Sequence, residues 1–336
     1  MNQIRNAQGC WWILLILAII GAVIFGLIVA LPYGNQKMVV DSLAGDGDVE
    51  SYTQQLAGVL RIIFLPLLVL SVSLFAYLLV QRARSLAKMR AYLSWLQRFL
   101  KNRFHEIKAI FTALKPAKDE SFPIIILLLV FLLGAFFRYA YMWRPMGHDE
   151  AYTFMAFASR GLGVVITDYH LPNNHIFHTI LVYLFYQLFG DSPAVVRFAA
   201  FSAGILIVPA SYLIAKIFYD WKIGLVAASI IAAIPVMVDY STVARGYTLI
   251  TLFALILVGL AAYVKDNQNL TAWFVLVGFS CVGLYTNPTM IYPIGMAFTW
   301  LLLSGLIKDI DSSYGKIYYL HLAFSAIAII ILTGFL

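Results

Sequence analysis

The feature that most limits how this chain folds is its series of long apolar stretches. Trp11–Tyr33 carries no charge from end to end, and Leu60–Val80, Phe122–Trp143 and several later stretches are nearly as apolar. About 20 such residues cross the ~30 Å hydrocarbon core of a bilayer. Composition agrees: 62% of residues are hydrophobic and 12% charged, where a soluble domain carries roughly 25% charged. The expected fold class is therefore an all-α polytopic membrane protein, a bundle of transmembrane helices. Trp11–Tyr33 is longer than the apolar core of a cleaved signal peptide and reads as a retained anchor. Cys10 has no hydrophobic stretch before it, which excludes a lipoprotein cleavage site, and pairing with Cys281, inside an apolar segment, is not expected.

The net charge of +7 does not point to nucleic acid, because ten of the 23 Lys and Arg lie between Arg82 and Lys118, between two apolar segments. That clustering marks a cytoplasmic loop under the positive-inside rule. Within it, Met89, Tyr92, Leu93, Leu96, Phe99, Leu100, Phe104, Ile107, Phe111 and Leu114 recur at three- and four-residue spacing, with Lys and Arg on other faces. The pattern predicts a basic amphipathic helix over 88–114, lying on an anionic leaflet or packed on the bundle as a linker. Residues 34–58, with Asp41, Asp46, Asp48 and Glu50, are expected to form a polar outer loop. The expected divisions are a two-span anchor over 1–80, a basic linker over 81–121 and a main module over 122–336. The chain stops at Leu336 inside an apolar run, so this module is expected to be incomplete at its C-terminal end.

After Phe122–Trp143 comes the stretch His148–His178, the longest polar interruption between the hydrophobic segments of the C-terminal two-thirds. Whether the next segment, Ile176–Phe189, crosses the membrane is decided by parity. If it lies flat on the outer surface, the later spans are Ala194–Tyr219, Ile223–Val238, Tyr247–Val264, Ala272–Tyr285, Met290–Ile307 and Ile317–Leu336. Lys216, Lys222, Lys265, Lys308 and Lys316 then face the cytoplasm; if it crosses, all of them face outward. The flat helix is the better reading. This gives about nine spans, a cytoplasmic N-terminus and a large first external loop carrying flat amphipathic helices. The sequon at Asn269 would sit on the cytoplasmic side, where it is not used.

This topology gathers Arg138, His148, Asp149, Glu150, Tyr152, Asp168, His170, Asn173, Asn174, His175, Arg197, Asp239, Tyr240, Arg245, Tyr247 and Asn287 on one side of the membrane. Ionisable groups near membrane depth are costly, so such a gathering is a site by default. Other readings exist for several of them. Glu150 could be an acid at a helix N-terminus, Arg138 and Arg197 interfacial residues, and Asp239 with Arg245 a structural ion pair. His170, His175 and His178 lack the spacing of a metal motif, so no cofactor is indicated.

Phe137-Arg138 followed by Gly147-His148-Asp149-Glu150-Ala151-Tyr152 resembles the start of the first external loop in GT-C glycosyltransferases. The branch is that of the protein O-mannosyltransferases and lipid A aminoarabinose transferases. Leu188-Phe189-Gly190-Asp191-Ser192 with Val196-Arg197, and Ala244-Arg245-Gly246-Tyr247, are similar to it in order and spacing. The resemblance implies a sugar transferred from a polyprenyl-phosphate donor to a hydroxyl acceptor, with Asp149 as general base and Glu150 beside it. Arg197 or Arg245 would then meet the phosphate charge. Arg138, His148, Tyr152, Asn173, Asn174, His175, Asp239 and Tyr247 are further candidates for substrate binding. One departure is Leu171-Pro172-Asn173-Asn174-His175, where many relatives carry His-Pro-Pro. The implied partners are the donor, the acceptor and the bilayer, and the implied location is a bacterial plasma membrane with the site extracytoplasmic. The rival reading is a transporter or flippase, which calls for midplane polar sites, broken helices and repeated halves; no internal repeat is visible.

Overall fold

The computed structural model describes residues 2–42, 52–114, 121–170, 172–307 and 312–334. Asp46, Asp48, Glu50, Lys118, Leu171, Lys308 and the last two residues, on which some expectations rest, lie outside the described residues. The described chain is helical without strands and divides into two compact units, Met1–Asn102 and Arg103–Leu336.

In the first unit, α1 (Asn2–Ala30) packs along α3 (Gln54–Val80). Trp11 and Leu15 of α1 meet Leu78 of α3 and Leu86, near the start of α4 (Arg82–Ala113). The expected polar loop opens instead with a helix, α2 (Tyr33–Asp41). Its cause is the set of carbonyls that every helix leaves unpaired at its C-terminus. Gln36 of α2 is buried and donates to the carbonyls of Ile28 and Leu31, while Arg61 donates to Leu31 from α3. The expected basic amphipathic helix is present as α4, with Tyr92, Trp95, Phe104 and Phe111 exposed.

The second unit takes up the end of α4 and then α5 (Ser121–Tyr141), α6 (His148–Ala156), a 3-10 turn, α7 (Leu162–Thr167), α8 (Ile176–Phe189) and α9 (Pro193–Phe218). It continues with α10 (Trp221–Ala233), α11 (Pro235–Ser241), α12 (Tyr247–Asp266), α13 (Leu270–Thr286), α14 (Ile291–Ile307) and α15 (Ser312–Thr333). Helix starts follow capping chemistry. Ser192 accepts from the Val195 N–H ahead of Pro193, Asp220 from Ile223, and Asn269 from Ala272. Helix α8 stops at Gly190, whose φ of 85° suits glycine. Helix α9 is central, packing against α5, α8, α10, α11 and α12. The main apolar core, with Leu257, Trp273, Leu276, Leu301 and Tyr318, lies among α12 to α15.

Among the described residues seven helices are long and apolar enough to cross a membrane, or eight if the bent pair α10–α11 counts as one span. Helix α13, with 17 residues, is the remaining segment among the nine expected. This is a multi-pass membrane protein. The expected span Ile223–Val238 is present as a broken one, bent by 61° between α10 and α11. Pro235 has no N–H to give the carbonyl of Ile231, and its ring drives Ile234 to ψ 124°, out of the helical region.

Arg138 repairs the break from α5. Fully buried, it donates to the Ile231 carbonyl at 3.1 Å and the Ala232 carbonyl at 3.0 Å. It also donates to Gly134 of its own helix and to the Ser241 hydroxyl on α11. Helix α9 passes close by at Gly204, where an added Cβ would sit 2.0 Å from Ser241 Oγ and 2.5 Å from Ser241 Cβ. Gly204→Ala should therefore destabilise the bundle by about 1–3 kcal/mol, the usual range for overpacking. Gly278→Ala, with open space around it, should leave the melting temperature in detergent close to wild type. Thermal unfolding of the two purified variants compares them directly.

Candidate functional site

The site is built on the first turn of α6. Gly147 enters it extended, at φ −73° and ψ 160°. Glu150, three residues on, reaches back to accept the Gly147 N–H at 2.7 Å. This is the half of a capping box that a glycine N-cap permits. The same carboxylate accepts the Ala244 N–H at 2.9 Å and the Arg197 Nε at 2.9 Å, and its other oxygen takes Arg197 Nη2. Burial opposes ionisation of Glu150. Burial is the largest single influence, but the hydrogen bonds from Arg197, Ala244 and Gly147 and the Arg197 charge together outweigh it and hold the carboxyl below its ordinary range.

Arg197 is equally committed. Besides Glu150 it donates to the carbonyls of Met142, Arg144 and Pro145, the strand of chain joining α5 to α6. No donor of this fully buried guanidinium is left pointing at a ligand.

Asp149, the adjacent carboxylate, has a different setting. Its side chain is 70% exposed against 1% for Glu150. It lines a cavity of about 420 Å³ with Arg144, Pro145, Gly147, His148, Val243 and the edge of Glu150. His148 Nδ1 lies 3.6 Å from its carboxylate. Its backbone is fixed, since the Asp149 carbonyl accepts from the Thr153 hydroxyl at 2.9 Å and from Asn173 Nδ2 at 3.1 Å.

The asparagines replacing the usual His-Pro-Pro serve the loop. Asn173 ties to α6 as above, and buried Asn174 donates to the carbonyls of Val165 and Asp168 at 2.9 and 2.8 Å. Tyr152 stands 3.0 Å from His170 Nε2, whose Nδ1 meets Asp168. This makes a short polar chain one turn along α6 from Asp149.

A second group forms around the α11–α12 turn. His175 Nδ1 accepts the Gly246 N–H at 2.8 Å, and the Asn287 amide lies 3.1 Å from Nε2. Burial, followed by the nearby Arg245 charge, lowers the His175 pKa to about 4, so the imidazole is neutral at pH 7. Arg245 is buried. Its Nη2 donates to the Tyr247 hydroxyl at 3.3 Å, while Nε and Nη1 have no partner. Leaving donors of a buried guanidinium unsatisfied is costly, and among the described residues no protein group supplies their acceptors.

Of the expected residues, Arg138 is taken up by the helix break and Glu150 with Arg197 by each other. Asp149, His148, Tyr152 and Asn173 share α6 and its rim, and His175, Arg245 and Tyr247 share the turn. Asp239 pairs with Arg144, which sequence reading did not single out; an arginine directly before Pro145 at the end of the third span was the available signal. Among the described residues no group of three or more His, Cys, Asp or Glu is placed to hold a metal ion.

No curated protein and no solved structure matches the chain. Residues 174–333 match the family model of dolichyl-phosphate-mannose-protein mannosyltransferases, a match that begins just after Asn173 and takes in Arg197, Asp239 and Arg245. Over these residues the chain is similar to that family, which bears out the GT-C resemblance and supports a membrane glycosyltransferase of the mannosyltransferase type.

Proposed function

We propose that the protein transfers a sugar from a polyprenyl-phosphate donor to a hydroxyl acceptor on the extracytoplasmic face, with Asp149 as general base. The observation that carries this reading is the division of the Asp149–Glu150 pair. Glu150 is locked to Arg197, and Asp149 offers its carboxylate at the mouth of a cavity. Asp149 takes the proton of the acceptor hydroxyl as its oxygen attacks the anomeric carbon. The bond from that carbon to the phosphate oxygen breaks, and polyprenyl phosphate leaves with the electron pair. The leaving phosphate needs no proton but gains a charge. Arg245, with two unpaired N–H-bearing nitrogens, is the better of the two expected cations, because Arg197 has none to spare.

The broken α10–α11 span is the feature that would suit a transporter, where unwound carbonyls bind ions. Here the carbonyls at the break are already occupied by Arg138, which favours the enzyme.

Asp149→Asn should lower sugar transfer by about 10²–10⁴-fold, the usual worth of a general base, with an unchanged melting temperature. Glu150→Gln should instead lower the melting temperature and abundance, since breaking a buried pair costs about 3–5 kcal/mol. Full transfer by Asp149→Asn, followed by mass spectrometry of lipid-linked sugars and surface glycans, would remove the proposed base.

The face is tested separately. A cysteine at Gln187 or Asp191, both exposed around the end of α8, in a background lacking Cys10 and Cys281, should react with an impermeant maleimide added outside intact cells. Labelling only after the cytoplasmic side is opened would invert the later spans.

A further inference from the structure

A polyprenyl-phosphate donor has two parts that need opposite surroundings, a charged phosphate and an apolar chain. Two cavities beside α11 differ in this same way. The larger, about 550 Å³, is walled by Phe137 and Tyr141 of α5 and by Ala233, Pro235, Val236 and Val238 at the broken span, with Asp239 as its charged end. The smaller holds Arg144, His148 and Asp149. Arg144 and Asp239 form an ion pair, so each cavity is lined by one member of the same pair. Arg144 Nη2 adds a bond to the Asp239 carbonyl at 3.3 Å.

This pair differs from the buried ones nearby. Its side chains are 31% and 53% exposed, against 0% and 1% for Arg197 and Glu150. Exposed pairs contribute little to stability and exchange partners at small cost. The guanidinium hydrogen bonds of Arg144 all go to the exposed residue Asp239, whereas Arg138 and Arg197 are buried and each also holds several backbone carbonyls that the fold needs paired. Arg144 is thus a cation at the junction of an apolar and a polar cavity, held by a partner that another anion can replace.

We propose that Arg144 binds the phosphate of a prenyl phosphate, displacing Asp239, while the first part of the apolar chain occupies the cavity between α5 and the broken span. This rests on the glycosyltransferase reading for its place in the reaction. The phosphate carries one charge as the sugar diester and two once the sugar has left. A second cation beside Arg245 therefore holds it more tightly as the bond breaks. Asp239 is a resting counterion, and its charge opposes the ligand.

The two charges therefore predict effects of opposite sign, which a structural ion pair would not give. The full chain, purified in nanodiscs of zwitterionic lipid, is titrated with farnesyl phosphate and, separately, with farnesol. Arg144→Gln should weaken farnesyl phosphate binding about tenfold and leave farnesol binding as in wild type. Asp239→Asn should tighten farnesyl phosphate several-fold. Val236→Trp, filling the apolar cavity, should weaken both ligands. Equal weakening by Arg144→Gln and Asp239→Asn would show a structural pair and overturn the proposal, as would unchanged binding in Arg144→Gln. If the two-way charge effect appears but no sugar transfer is found, the prenyl-phosphate site stands and the transfer reading falls. If Asp149→Asn abolishes transfer while the charge variants bind alike, the site falls and the transfer reading stands.

Discussion

Arg197 and Glu150 bring opposite charges into a place shut off from water, where each needs the other as a partner. Stripping water from a guanidinium and a carboxylate costs several kcal/mol for each ion, and only close geometry with further hydrogen bonds recovers it. Both conditions hold. The pair is bidentate, Glu150 also accepts the Gly147 and Ala244 N–H groups, and Arg197 also donates to the carbonyls of Met142, Arg144 and Pro145. Four pieces of chain thereby meet at one ion pair: the end of α5, the start of α6, α9 and the turn before α12. Low dielectric strengthens each of these bonds, and it makes the loss of one member costly.

The same logic runs through the other buried arginine. Arg138 lies where Pro235 has removed a hydrogen bond from the Ile231 carbonyl, and its guanidinium supplies the missing donor across the helix interface. A fixed α11 places Asp239 opposite Arg144 and leads into the turn carrying Ala244 and Arg245. The bend of 61° is thus held by a specific partner. Arginine suits this work because its planar fork of donors meets several carbonyls at once.

The apolar segments were legible because length and hydropathy alone decide them. The break at Pro235 was masked by the apolar run around it, although the residue itself carried the signal. Helix α2 was not legible, since Tyr33–Asp41 has no apolar periodicity and forms against carbonyls at the end of α1. The division of labour among the arginines was also hidden. Arg138, Arg144, Arg197 and Arg245 look alike in sequence, and what separates them is the count of acceptors within reach. Apart from Gly134 on its own helix, those acceptors lie 93 to 103 residues away for Arg138, 95 for Arg144, and 47 to 55 for Arg197.

The contrast between Asp149 and Glu150 shows how one helical register can set both structure and chemistry. Adjacent positions on a helix point about 100° apart. With Glu150 turned to Arg197 on α9, the Asp149 side chain is left on the exposed side. The longer glutamate side chain suits the inner position, since it turns back to Gly147 while still meeting Arg197 and Ala244. The shorter aspartate has its own carbonyl tied by Thr153 and Asn173, so its backbone is held while its side chain stays exposed. Order gained by the buried acid is passed through a single peptide unit to the backbone of the exposed one. A polar interruption in a membrane chain can in this way set an exposed carboxylate on an ordered backbone beside a buried ion pair.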